Sequence, residues 1–157
     1  MAIYRVIKQV PSQEVPMALL LEADPSEACI QKYLNDSWCF GLFVESTLVA
    51  VCVIKQVGQH KAELFNIAVK PDVQGQGYGA ELLSYVIDAV EKKGMLEVEL
   101  GTGSFGYQLS FYQKHGFRVD AIWTDFFINH YPDPIYEHGI QHKDMLRLVY
   151  RITLSNA

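Results

Sequence analysis

Five apolar residues, Leu82, Leu83, Val86, Ile87 and Val90, recur at helical spacing, so residues 77–93 read as an amphipathic helix. Glu81 falls in its first turn, Lys92 and Lys93 in its last, and Gly94 stands where a helix needs a left-handed residue to stop. Upstream the pattern changes. Residues 38–44 and 48–57 are apolar, β-branched runs on either side of Glu45-Ser46-Thr47, which is a hairpin pattern. Gly58-Gln59-His60 then turns the chain into a strand ending at Val69, and residues 3–8 alternate as a first strand that stops before Pro11.

The remaining segments are shorter. A helical pattern runs over residues 12–22 behind Ser12 as N-cap, with Pro16 limiting its regularity, and Asp24-Pro25 predicts the start of a second helix reaching about Leu34. Beyond the long helix, residues 95–100 read as a strand, residues 101–104 as a flexible loop, and residues 107–115 as a helix closed by Gly116. Residues 117–128 predict a strand, Pro132, Pro134 and Gly139 mark a long loop, and residues 146–154 predict a last strand. The helix between the strands at 63–69 and 95–100 lets those two lie parallel. The tally is one α/β (α+β) domain over residues 1–157, mostly antiparallel, with a central βαβ unit.

Composition narrows the function classes. A formal charge of −5 disfavours general nucleic-acid binding, which clustered Lys and Arg would carry. No stretch approaches the ~20 apolar residues of a membrane span, and the N-terminus lacks signal-peptide character. Cys29, Cys39 and Cys52 are odd in number and lack metal-ligand spacing, which predicts free thiols in the cytoplasm.

The candidate chemistry lies just before the long helix. Gln74-Gly75-Gln76-Gly77-Tyr78-Gly79 gathers backbone N–H groups at a helix N-terminus, a setting that favours phosphate. A turn needing glycine only for its angles would not require three of them at alternate positions. No Gly-Lys-Ser/Thr follows, which excludes a Walker A loop. The letters do satisfy a dinucleotide fingerprint, with Glu97 or Glu99 about 20 residues on as the ribose-binding acid. Against a nicotinamide cofactor stand the five residues 70–74 between strand and glycines, and the presence of only one βαβ unit.

The same stretch resembles the Q/R-x-x-G-x-G/A motif of the GNAT N-acetyltransferases, preceded here by Val69-Lys70-Pro71. Tyr112, four residues before Gly116-Phe117, resembles that family's second hallmark. The resemblance implies a sheet of about seven strands flanked by about four helices. It implies an enzyme that moves an acetyl group from acetyl-CoA to a primary amine in a ternary complex. Residues Gln74, Gly75, Gln76, Gly77, Tyr78 and Gly79 would hold the pyrophosphate; Ile67, Ala68 and Val69 would pair with pantetheine through their backbone. Thr102 or Ser104 would add a contact on the pantetheine side, because Phe105 stands where many members carry Asn. Tyr112 would protonate the leaving thiolate, while Glu63, or Glu97 or Glu99 directly or through water, would take the proton of the amine.

Residues 125–144 are rich in acids and aromatics, which suits a cationic or partly apolar acceptor, whether a small molecule or a peptide amine. His130, His138 and His142 do not make a zinc site, since catalytic zinc takes three protein ligands and Gly139 weakens any helix joining the last two; no metal is expected. A homodimer through the last strand or the late loop fits the pattern. The rival from another class is an acyl-CoA-binding sensor that keeps the cofactor site without turnover.

Overall fold

A computed structural model describes residues 3–152. The residues up to Met95 and those from Leu96 onward form two compact units.

In the first unit, strands β1 (Arg5–Val10), β2 (Trp38–Val44), β3 (Thr47–Gln56) and β4 (Lys61–Val69) lie side by side in that order, each pair antiparallel. Glu45 and Ser46 join β2 to β3 with φ of 48° and 69°, the left-handed pair that a two-residue hairpin turn demands. β3 is buried along most of its length because both of its faces are covered. Val51 and Val53 meet Leu19, Leu20, Ile30 and Tyr33 on one side, from helices α1 (Met17–Leu20) and α2 (Glu27–Leu34). Helix α3 (Tyr78–Lys92) lies against the other side, where Phe40 of β2 meets Tyr85 edge-on at 6.2 Å. The apolar stripe that predicts this helix is its buried face, and Gly94 at φ 96° stops it.

Two expected helix starts fall elsewhere. Ser12 opens only a 3-10 turn, Ser12–Glu14, because Pro16 separates it from α1. The N-cap of α2 is Ser26, whose Oγ accepts from the Cys29 N–H at 3.2 Å; Asp24 instead accepts from the Ser26 N–H.

In the second unit, strands β5 (Glu97–Gly103), β9 (Met145–Arg151) and β6 (Arg118–Trp123) form an antiparallel sheet with β9 in the middle. Helix α4 (Tyr107–Lys114) follows β5, and a short helix α5 (Phe126–His130) follows β6. A hairpin of β7 (Tyr136–Glu137) and β8 (Ile140–Gln141) precedes β9.

Three sequence expectations change here. Residues 101–103 continue β5 instead of looping, since Gly101 pairs with Arg147 and Gly103 with Met145. A side chain at Gly101 would strike Met145 Sδ at 2.3 Å, so glycine serves close approach, not flexibility. The expected strand over 117–128 breaks at Asp125, at φ 60°, and its end coils into α5. The last strand has neighbours on both edges, so β9 offers no free edge for a dimer; the expected residues beyond 152 lie outside the described ones.

Candidate functional site

The first unit carries the glycine-rich turn. The five residues after β4 are a 3-10 turn, Pro71–Val73, with its bounding residues: the Lys70 N–H reaches back to the Val49 carbonyl at 2.8 Å, and the Val73 N–H to that of Lys70 at 3.1 Å. Gln74 then ties the turn to the strand end, its side-chain amide donating to the Val69 carbonyl at 3.0 Å. Gly75 and Gly77 have φ of 79° and 86°, and a Cβ on either would meet nothing within 4 Å. No protein packing demands glycine at these positions. The backbone angles do, and the bare chain leaves its N–H groups open to a bulky anion.

Gly77 is the N-cap of α3 and supplies no side-chain acceptor, so the first-turn N–H groups point outward without a side-chain cap. Residues 74–77 are exposed, whereas Tyr78 is buried and anchors the helix start. Glu81 would oppose an anion here, but the Arg5 guanidinium pairs with it at 3.2 Å. Ile67, Ala68 and Val69 lie in regular register with Cys52, Val51 and Ala50 at the end of β4. One strand position earlier, the pairing shifts between Val53 and Ile54, so Phe65 is an extra residue that bends β4 before that segment. No sequence signal marked this bulge. Glu63, half-buried on β4, stands opposite Lys55.

The second unit carries Tyr112. Its carbonyl accepts from the N–H groups of both His115 and Phe117 at 3.1 Å, closing α4 over Gly116 at φ 93°. The Phe117 ring returns edge-on to the Tyr112 ring at 5.7 Å and also contacts Tyr150 at 5.4 Å. The Tyr-to-Gly-Phe spacing is therefore the helix closure itself, and it holds a phenol that is 6% exposed.

Glu99 occupies the other face of this sheet. Tyr150 stands opposite Val98, on the face where Phe117 and Tyr112 pack, while Glu99 alternates away from it and pairs with Arg147 at 3.3 Å. Arg147 is buried and also lies 4.2 Å over the Trp123 ring. The structure thus does not bring Glu99 and Tyr112 together. Ser104 is exposed at the turn between β5 and α4.

Sequence reasoning missed one buried polar arrangement in this unit. His142 is buried, its Nε2 lies 2.8 Å from Glu137 Oε1, and its ring stacks on Phe105 with centroids 4.1 Å apart. The available signal was Gly103, within the stretch 101–104 that reads as a flexible loop; Gly106 drew no reading.

The comparisons bear on this arrangement. The family model of the Acetyltransferase (GNAT) family matches residues 3–117. The uncharacterized N-acetyltransferase YvbK of Bacillus subtilis is 42% identical over 131 residues, 83% of this chain and 84% of that one. The ribosomal protein bS18-alanine N-acetyltransferase of Escherichia coli is 36% identical over 98 residues, 62% of this chain and 63% of that one. Among solved structures, a GNAT family acetyltransferase from Elizabethkingia anophelis with acetyl-CoA bound is 34% identical, with a TM-score of 0.89 over 94% of this chain and 98% of that one.

Proposed function

The chain belongs to the acetyltransferase (GNAT) family and transfers an acetyl group from acetyl-CoA to an amine; from that premise we propose direct transfer to a primary amine in a ternary complex. The observation that carries the site assignment is the turn of residues 74–79, whose left-handed glycines face open space at an uncapped helix start.

Acetyl-CoA supplies an activated thioester. Residues Gln74, Gly75, Gln76, Gly77, Tyr78 and Gly79 hold its pyrophosphate through backbone N–H groups and the α3 dipole. The backbone of Ile67, Ala68 and Val69 aligns the pantetheine arm, and one N–H there polarises the thioester carbonyl. Holding both reactants in line can lower a barrier by about 7–11 kcal/mol, so positioning carries much of the rate. Tyr112 gives its phenol proton to the departing thiolate, a phenol being protonated at neutral pH and so able to donate as the C–S bond breaks. Ser104 adds a contact on the cofactor side. Glu63 or Glu99 takes the proton of the ammonium, directly or through a water. Cys39 and Cys52 lack the setting of a nucleophile, being buried with thiols pushed up by burial.

The acceptor is a cationic amine, small molecule or peptide terminus, drawn to the acids and aromatics of residues 125–144. The family match crosses the junction at Met95, which supports one functional domain. The free thiols fit a cytoplasmic location. Among the described residues no helix is long and apolar enough to cross a membrane. A homodimer is the remaining expectation, and sedimentation equilibrium reads it directly.

Thiol release from acetyl-CoA is the test, run with a polyamine, an alanine-terminated peptide and simple primary amines. Release with one of these, at a rate following amine concentration, is the expected result. Coenzyme A binding without release from any amine would leave a sensor instead. With the active amine, Glu63→Gln should flatten the rise of kcat with pH; an unchanged profile puts the base elsewhere.

A further inference from the structure

Glu137 and His142 lie in the segment that sequence reasoning treats as loop, yet their side chains meet at 2.8 Å. A carboxylate can only accept at neutral pH, so the 2.8 Å contact makes Nε2 of His142 the protonated nitrogen. The ring is then fixed on every side. Phe105 covers one face at an interplanar angle of 8°, the His142 N–H is bound to the Ile135 carbonyl at 2.8 Å, and the Nδ1 edge lies against Gly103. A Cβ on Gly103 would come within 2.4 Å of Nδ1, and no described group hydrogen-bonds to that nitrogen.

The carboxylate is half-exposed, but one of its edges is packed against the same turn. A Cβ on Gly106 would come within 2.5 Å of Glu137 Oε2. Gly106, at φ 108°, is the N-cap of α4 and has no side-chain cap of its own. The negative charge of Glu137 therefore sits at the start of the helix that carries Tyr112, the end at which the macrodipole favours it. Tyr112 is six positions along an eight-residue helix, about 9 Å of rise, too short a span to absorb a tilt at its start.

We propose that Glu137 and His142 are positioning residues: together they clamp the turn from Gly103 to Gly106 and so set the placement of Tyr112, governing turnover and not cofactor affinity. This rests on Tyr112 being the acid. It also explains Phe105, which replaces the Asn seen in many family members and serves here as the platform for the imidazole.

Hydrogen exchange and steady-state kinetics test it, using the amine that turns over fastest in the panel above. His142→Ala and Glu137→Ala should speed exchange of the amides of residues 104–108 by tenfold or more. Both should lower kcat about tenfold, a displacement of ~1 Å being able to cost up to 10²-fold. KM for acetyl-CoA should stay within twofold. His142→Gln, which can still donate to Glu137, should recover most of the rate, and the double alanine variant should be no slower than either single one. Glu137→Met keeps about the volume but offers Nε2 no more than a weak thioether acceptor, and it gives the answer if an alanine variant does not fold: its exchange should quicken in the same segment. Unchanged exchange in Glu137→Met and His142→Ala would overturn the clamp, as would a rise in KM matching the fall in kcat. Quickened exchange in a protein whose Tyr112→Phe variant remains fully active would keep the clamp and remove Tyr112 as the acid.

Discussion

Tyr112 shows how little freedom a single side chain retains. Its carbonyl terminates α4, and its ring is wedged among aromatic neighbours, Phe111 at 5.3 Å among them, so replacing it with Phe leaves the packing intact. Tyr112→Phe should therefore lower kcat by about 10²-fold, the usual worth of a positioned acid, with KM for acetyl-CoA within twofold. A rate constant equal to wild type under single-turnover conditions would remove it from the chemistry. Cys39 makes a different residue-scale prediction. Burial pushes its thiol up to about 11 from an ordinary 9.0, so about one thiol in a thousand is ionised at pH 8. A maleimide should label half-buried Cys29 first and leave Cys39 until the chain unfolds. The sign of the linkage follows: the native state binds this proton more tightly, so stability is whole below about pH 9 and declines as pH rises through about 11. Denaturant midpoints measured at pH 8, 9.5 and 11 check it, and a flat series would contradict the assigned burial. Sequence alone made both residues visible but could not separate Ser26 from Asp24 as a cap, because either side chain can accept the same N–H.

At the scale of elements, legibility followed length. The stripe of α3 and the paired apolar runs of β2 and β3 are long enough for periodicity to decide, and their ends fall within a residue or two of expectation. α5 and the β7–β8 hairpin span five residues and two per strand, too few for a period. They exist through contacts: Asp144 accepts from the Asp125 N–H at 2.8 Å, and the Phe127 N–H donates to the Lys143 carbonyl at 3.0 Å. Glycine was ambiguous for a related reason. At 75 and 77 it supplies backbone angles beside open space, whereas at 101, 103 and 106 it makes room for other side chains. The two uses predict different variants. Gly77→Ala has no clash to relieve, so the unliganded protein should lose only about 1–2 kcal/mol for a left-handed alanine. Coenzyme A affinity should fall more than tenfold if the turn holds the pyrophosphate as proposed, because the methyl group and any relaxation of φ both disturb its N–H groups. Calorimetry showing an unchanged Kd beside the loss of stability would mean the turn is only a turn.

For the molecule as a whole, the sequence-level argument depended on two motifs in order, one in each compact unit, and not on any single residue. The dinucleotide reading used the same letters as the coenzyme A reading; it was the 3-10 turn between β4 and Gln74, read from sequence only as a gap, that separated them. What the sequence could not display was which carboxylate meets which partner, since the Glu99 to Arg147 pair joins residues 48 positions apart. Ligand-linked stability discriminates between the cofactors without reference to an acceptor. A ligand that binds only the native state at 100 times its Kd adds about 2.7 kcal/mol. For a chain of this length each kcal/mol moves Tm by about 2–4 °C, so acetyl-CoA should raise Tm by roughly 5–11 °C. NAD at the same concentration should give no comparable shift, because its recognition needs a ribose-binding acid one strand beyond the glycines. Glu99, the nearer fit to that spacing, is engaged with Arg147, and Glu97 lies 3.7 Å from Arg151. A larger shift with NAD than with acetyl-CoA would reverse the assignment of the turn, and with it the role given to every residue from Ile67 to Gly79.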